Sequence, residues 1–128
     1  MAWNAYLTDQ IMYTGQFTST MILGREDGSV WATEGPWPAG SPHYPGLVEL
    51  LNKSKLHGEV LDLFGVEYWI GIKTGRAFEL RSSLGTRGAL AFSKGCALIG
   101  LCDPKKPDTE EPYSLMQNLA EYLASNGY

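Results

Sequence analysis

Apolar residues recur along this chain at two spacings, and the change between them marks its elements. From Trp3 to about Tyr13 the spacing is helical: Trp3, Tyr6, Gln10 and Tyr13 share one face, and Leu7 and Ile11 an adjacent aliphatic one. Gly15 closes that helix. TSTMILG (Thr18–Gly24) reads as a strand, Glu26-Asp27-Gly28 as a turn and SVWAT (Ser29–Thr33) as the returning strand. GPWPAGSPHYPG (Gly35–Gly46) is a Pro- and Gly-rich loop. Leu47 to about Leu56 predicts a short helix. Five strands follow at Glu59–Phe64, Val66–Lys73, Ala77–Ser83, Gly88–Lys94 and Cys96–Asp103, most of them ended by a Gly-containing turn. After the charged loop Pro104–Pro112, Ser114–Tyr128 returns to helical spacing through Leu115, Leu119, Tyr122 and Leu123, and Gly127 stops it. The order predicts one α+β domain over residues 1–128, with helices packed on an antiparallel sheet.

Composition narrows the function classes. Hydrophobic residues make up 44% and charged residues 19%, which is enough to build a core. A formal net charge of −4 argues against a nucleic-acid binder. No apolar run approaches the ~20 residues of a membrane span. The start has no secretory pattern, so a cytoplasmic location is expected. Cys96 and Cys102 are an even number of positions apart, so one strand puts both on the same side, as reduced core residues. Neither has zinc spacing, and no metal or cofactor site is expected. His43 lies in the Pro-rich loop and His57 after a short helix. Asp108, Glu110 and Glu111 read as a solvated cluster. With no nucleophile or phosphate-loop motif, no enzyme is expected.

The aromatic residues are the unusual feature, with four Trp in 128 residues. Leu7, Ile11, Leu115 and Leu119 suit a core. Trp3, Tyr6, Trp31, Tyr122 and Tyr128 each carry a polar handle that burial would leave needing a partner, so a surface groove is the better reading. Such a groove suits polyproline, an extended helix with free carbonyls and no internal hydrogen bonds. Flat rings stack on the pyrrolidines, and indole N–H and phenol O–H groups donate to the carbonyls.

W-N-A-Y at Trp3–Tyr6, S-V-W-A at Ser29–Ala32 and L-A-E-Y-L-x-x-x-G-Y at Leu119–Tyr128 resemble the profilin family along the whole chain. The resemblance implies a central antiparallel sheet, the two terminal helices side by side on one face, and smaller helices opposite. It implies binding of monomeric actin, of proline-rich proteins such as formins, and of phosphoinositide headgroups, in the cytoplasm and at the actin-rich cell cortex. It assigns Trp3, Tyr6, Trp31, Tyr122, Leu123 and Tyr128 to the polyproline groove. It assigns Leu56, Trp69, Arg81, Lys105, Gln117 and Asn118 to the actin surface. Glu67, Ile72 and Ser83 stand where many family members carry a basic residue.

Arg76, Arg81, Arg87 and Lys94 supply a basic face near the turns, for which weak, salt-sensitive phosphoinositide binding is expected. Trp37 sits among four prolines in the loop Gly35–Gly46, which reads either as a rigid lid or as an added contact surface. Two alternatives compete with the adaptor reading. One is a polyproline module with weak or lost actin binding. The other is a PAS-like small-molecule sensor, which needs a cavity where Phe64, Trp69, Phe78 and Phe92 instead predict a filled core.

Overall fold

The structure, a computed structural model, describes residues 3–38, 46–74 and 77–128. Seven strands form one antiparallel sheet: β1 (Phe17–Gly24), β2 (Val30–Glu34), β3 (Val60–Leu63), β4 (Val66–Thr74), β5 (Ala77–Ser82), β6 (Arg87–Phe92) and β7 (Cys96–Cys102). Their order across the sheet is β2-β1-β7-β6-β5-β4-β3. Neighbours in sequence are therefore neighbours in space, except β2 and β3, which form the two edges; β7 returns to pair with β1 and so joins the β1–β2 hairpin to the β3–β7 meander.

Strand residues alternate between two apolar layers. One face carries Phe17, Ile22, Ala89, Ala91, Cys96, Leu98 and Cys102 against α1 (Trp3–Gln10) and α3 (Glu111–Ser125). The other carries Met21, Leu23, Leu80, Leu90 and Ile99 against α2 (Leu47–Leu51). The two terminal helices lie on the same face, as expected, with α1 over β2 and β1 and α3 over β6, β5 and β7. Both cysteines face this side as buried free thiols. Burial pushes both thiols up, Cys102 to about 11.

An eight-residue helix is too short to persist alone in water. α1 holds because Leu7 and Ile11 are fully buried, each contributing about 1.5–3 kcal/mol. The helix is shorter than its spacing predicts. It ends at Gln10 and tightens into a 3-10 turn over Met12–Thr14, closed by Gly15 at φ 74. α2 is also shorter, ending at Leu51, and Leu56 is buried from the following loop instead of from a helix. α3 starts earlier than Ser114, because Pro112 fits the first helical turn and Glu111 favours its dipole.

The expected filled core of large rings is not what occupies the α2 face. The buried residues there are mainly aliphatic. Phe78 and Phe92 stand at its margin, where they line a pocket of about 370 Å³ with Arg25, Leu51 and Leu56. Trp69 points to the opposite face, 49% exposed. Trp37 packs on the α2 side near Phe64, and its indole donates to the Thr20 carbonyl at 2.9 Å. Positions 39–45 of the loop lie outside the described residues, His43 among them, and so does Arg76.

Gly100 sets how closely α3 approaches. A Cβ there would come within 2.6 Å of the Phe17 ring and 2.5 Å of the Met116 methyl. Gly100→Ala should destabilise the fold by about 1–3 kcal/mol in urea unfolding, the usual cost of overpacking. An unchanged midpoint would contradict this packing.

Candidate functional site

Four ring contacts join the ends of the chain. Trp3 lies 4.8 Å from Trp31, 4.8 Å from Tyr128 and 5.6 Å from Tyr6, between ring centroids. Tyr6 in turn lies 6.0 Å from Tyr122. The rings form a continuous strip from β2, across α1, to α3. Trp3, Tyr6, Trp31 and Tyr128 are half-buried against the core, and Tyr122 is half-exposed. Each ring thus keeps a covered side and an open side. Leu123 is different: it is fully buried, facing the sheet one position on from Tyr122. It supports the strip from beneath and offers no surface to a ligand.

Three polar links that sequence reasoning missed hold the strip together. Asn4, inside the W-N-A-Y motif, donates from its amide to the Thr33 carbonyl at 2.7 Å and to Glu34 Oε1 at 3.0 Å, tying α1 to β2. After α3 the chain reverses through Gly127 at φ 91: Gly127 N–H donates to Ala124 O and Tyr128 N–H to Leu123 O. The carbonyl of Tyr128 then accepts from Ser93 Oγ at 2.8 Å and from the Gly95 N–H. The last residue is therefore fixed to the β6–β7 turn. Gly24 lets Trp31 lie close, since a Cβ there would come within 2.9 Å of the Trp31 indole nitrogen. Asn4 lies within the W-N-A-Y motif, but its partners are far off in sequence and nothing local signals them.

A second surface lies on the same face beyond α3. Val60 pairs with Trp69 and Trp69 with Arg81 across adjacent strands, so the three side chains stand in a row. Arg81 is bound on both sides. Its guanidinium reaches Glu79 at 2.8 Å and Asp108 at 2.8 Å, and these bonds, Glu79 first, hold it firmly charged. Arg87 reaches the other oxygen of Asp108 at 3.1 Å and donates to the Lys106 carbonyl. Lys73 completes the cluster near Glu79 and Glu110. The three cations and three carboxylates balance.

Several expected site residues fall elsewhere. Leu56 is buried on the α2 face and cannot touch a partner on the α3 face. Gln117 and Asn118 diverge: the Gln117 amide reaches Glu121, while Asn118 borders the cleft toward Gln10 and Tyr13. Lys105 is exposed in the loop that carries Asp108. Among the described residues, Arg81, Arg87 and Lys94 do not form one face. Arg87 opens β6 and Lys94 lies just past its other end, roughly 20 Å away at strand rise. Arg81 and Arg87 are paired with Glu79 and Asp108, and Lys94 lines a hollow with Trp31.

A family model described as Profilin matches residues 1–128. The chain belongs to the profilin family. Profilin-1 of Dictyostelium discoideum is 30% identical over 133 positions, with both chains covered in full. Among solved profilins, mouse profilin IIa in complex with a double repeat from the FH1 domain of mDia1 superposes with a TM-score of 0.79 at 14% identity, covering 100% of each chain. LokiProfilin1 in complex with rabbit actin superposes at 0.68 and 17% identity, over 96% of this chain and 94% of that one. At those identities the structural likeness speaks for the profilin fold.

The carboxyl of Asp108 is held below its usual 3.8, first by the hydrogen bond from Arg81, with desolvation opposing and the charges of Arg87, Arg81 and Lys73 adding to the lowering. Folding lowers this pKa, so the ionised carboxylate adds stability above the unfolded value. That contribution fades as pH falls through the folded one. Asp108→Asn should lower the urea midpoint at pH 7, with the gap to the parent narrowing below about pH 4. A gap that does not change with pH would rule out the ion clamp.

Proposed function

We propose that this chain is a single-domain adaptor that holds an actin monomer on one surface and a proline-rich segment on another. It acts in the cytoplasm and at the cell cortex, as a binding protein and not a catalyst. The observation that carries the reading is the strip Trp31–Trp3–Tyr6–Tyr122 with Tyr128 at its side. Family membership and the likeness to a profilin bound to FH1 repeats support it. A polyproline helix has its shape before binding, so little ordering is lost when it settles on rings that are themselves fixed. Pyrrolidines stack on the open sides, and the indole and phenol groups donate to peptide carbonyls. Leu123 has no place in that contact.

For actin, the supporting features are the likeness to a profilin–actin complex and the uncovered row Val60–Trp69–Arg81, with Lys105 exposed in the loop that carries Asp108. Trp69 is the anchor, a half-exposed indole of the kind that dominates interfaces. With Arg81 and Arg87 already matched by carboxylates, this surface offers shape and apolar area more than net positive charge. Phosphoinositide binding through the same residues is correspondingly weak and salt-sensitive. Holding both partners raises the local concentration of actin beside a filament-elongating machine.

Calorimetric titration with a proline decamer tests the groove. Trp3→Ala should weaken binding by about 2 kcal/mol or more, roughly thirty-fold. In parallel, Trp69→Ala should lose actin-monomer binding while keeping the decamer. Unchanged decamer affinity in Trp3→Ala would overturn the groove, and unchanged actin binding in Trp69→Ala would overturn the second surface.

A further inference from the structure

The aromatic strip does not stop at Tyr122. On its far side the same ring lines a hollow of about 330 Å³ between the end of α1 and the middle of α3, with Gln10, Tyr13, Leu115, Asn118 and Leu119. Tyr13 is 73% exposed, which is a large ring to leave open to water without use. We infer that this hollow is a second subsite of the groove, taking about three further residues of a proline-rich peptide that already lies on the main strip. The inference rests on the polyproline reading above and extends it to Gln10, Tyr13, Leu115 and Asn118, outside the motifs that carry the family resemblance.

Three features favour this occupant. The first is continuity: Tyr122 belongs to both parts, 6.0 Å from Tyr6 on one side and in the wall of the hollow on the other. The second is charge. Every lining residue is uncharged, so the hollow suits a segment of prolines and not an acidic or basic flank. The third is chemistry at the right spacing. Tyr13 stands seven positions after Tyr6, about 10 Å along a helical path. At ~3.1 Å per residue that distance is about three residues of polyproline. Tyr13 supplies a ring to stack, Leu115 and Leu119 an apolar floor, and the amides of Gln10 and Asn118 supply donors for carbonyls that the peptide leaves free. Asn118, expected on the actin surface, thereby takes a role on the groove side.

The test uses the full chain, with a proline hexamer and a proline tetradecamer titrated by calorimetry. Tyr13→Ala should leave the hexamer within about two-fold of the parent and weaken the tetradecamer about five-fold, the worth of one aromatic contact. Tyr13→Phe, which keeps the ring, should retain most of the tetradecamer affinity. Equal effects of Tyr13→Ala on both peptides, or none on either, would overturn the second subsite. Trp3→Ala separates that failure from a deeper one. If it weakens both peptides while Tyr13→Ala weakens neither, the main groove stands and only the extension falls. If Trp3→Ala leaves both peptides bound as in the parent, the polyproline reading falls, and the extension with it.

Discussion

Three distant parts of the chain meet on one indole. Trp3 touches Trp31 from β2, Tyr128 from the C-terminus and Tyr6 from its own helix. Without that junction α1 would be a short, weakly amphipathic helix at a free end, where fraying is the rule. With it, the two ends of the chain are fixed beside one another, and their rings join into one strip. The junction depends in turn on backbone and amide links at its margins. Asn4 binds the β2 backbone, and the Tyr128 carbonyl is held by Ser93 and Gly95. These bonds turn a set of amphipathic rings into a rigid surface, and rigidity is what an extended, preordered ligand rewards.

Helix α3 separates this surface from the second one on the same face of the sheet. α3 covers β6 and β5 but leaves β3 and the outer part of β4 open, which is why Trp69 and Val60 remain exposed while Tyr68 and Ile70, on the reverse side of β4, are buried. The two proposed surfaces therefore share no residues. The ion cluster around Asp108 adds a distinct character to the second surface. Its cations are paired within the chain, so in the proposed function recognition there leans on Trp69 and shape complementarity.

Much of this was legible in the sequence, and the failures have physical causes. The seven strands and the two end helices follow from short apolar runs, helical spacing and Gly-bearing turns, even though β1, β6 and β7 are buried on both faces and do not alternate. The length of α2 was not legible: Leu56 has the right spacing for a helix, yet a loop buries it equally well. The rings of the strip were readable because large amphipathic aromatics near termini have few other uses. Leu123 was misplaced because one residue along a helix is a turn of about 100°, which carries it from the groove to the core. The basic residues looked like one face because they cluster in sequence. Antiparallel strands send successive turns to opposite ends of the sheet, so Arg87 and Lys94 part company. The links from Asn4 and Ser93 were invisible because their partners are dozens of residues away.

The four tryptophans provide the most direct check on the arrangement, since each reports a different place. Trp3 and Trp31 lie in the strip, Trp37 donates to the Thr20 carbonyl on the α2 side, and Trp69 stands on the outer sheet. In a nitrogen-labelled sample, the indole N–H signals can be followed as a proline decamer is added. The account predicts that the Trp3 and Trp31 signals move together with one saturation curve while those of Trp37 and Trp69 stay in place. Saturable movement of Trp37 or Trp69 with Trp3 unmoved would contradict it.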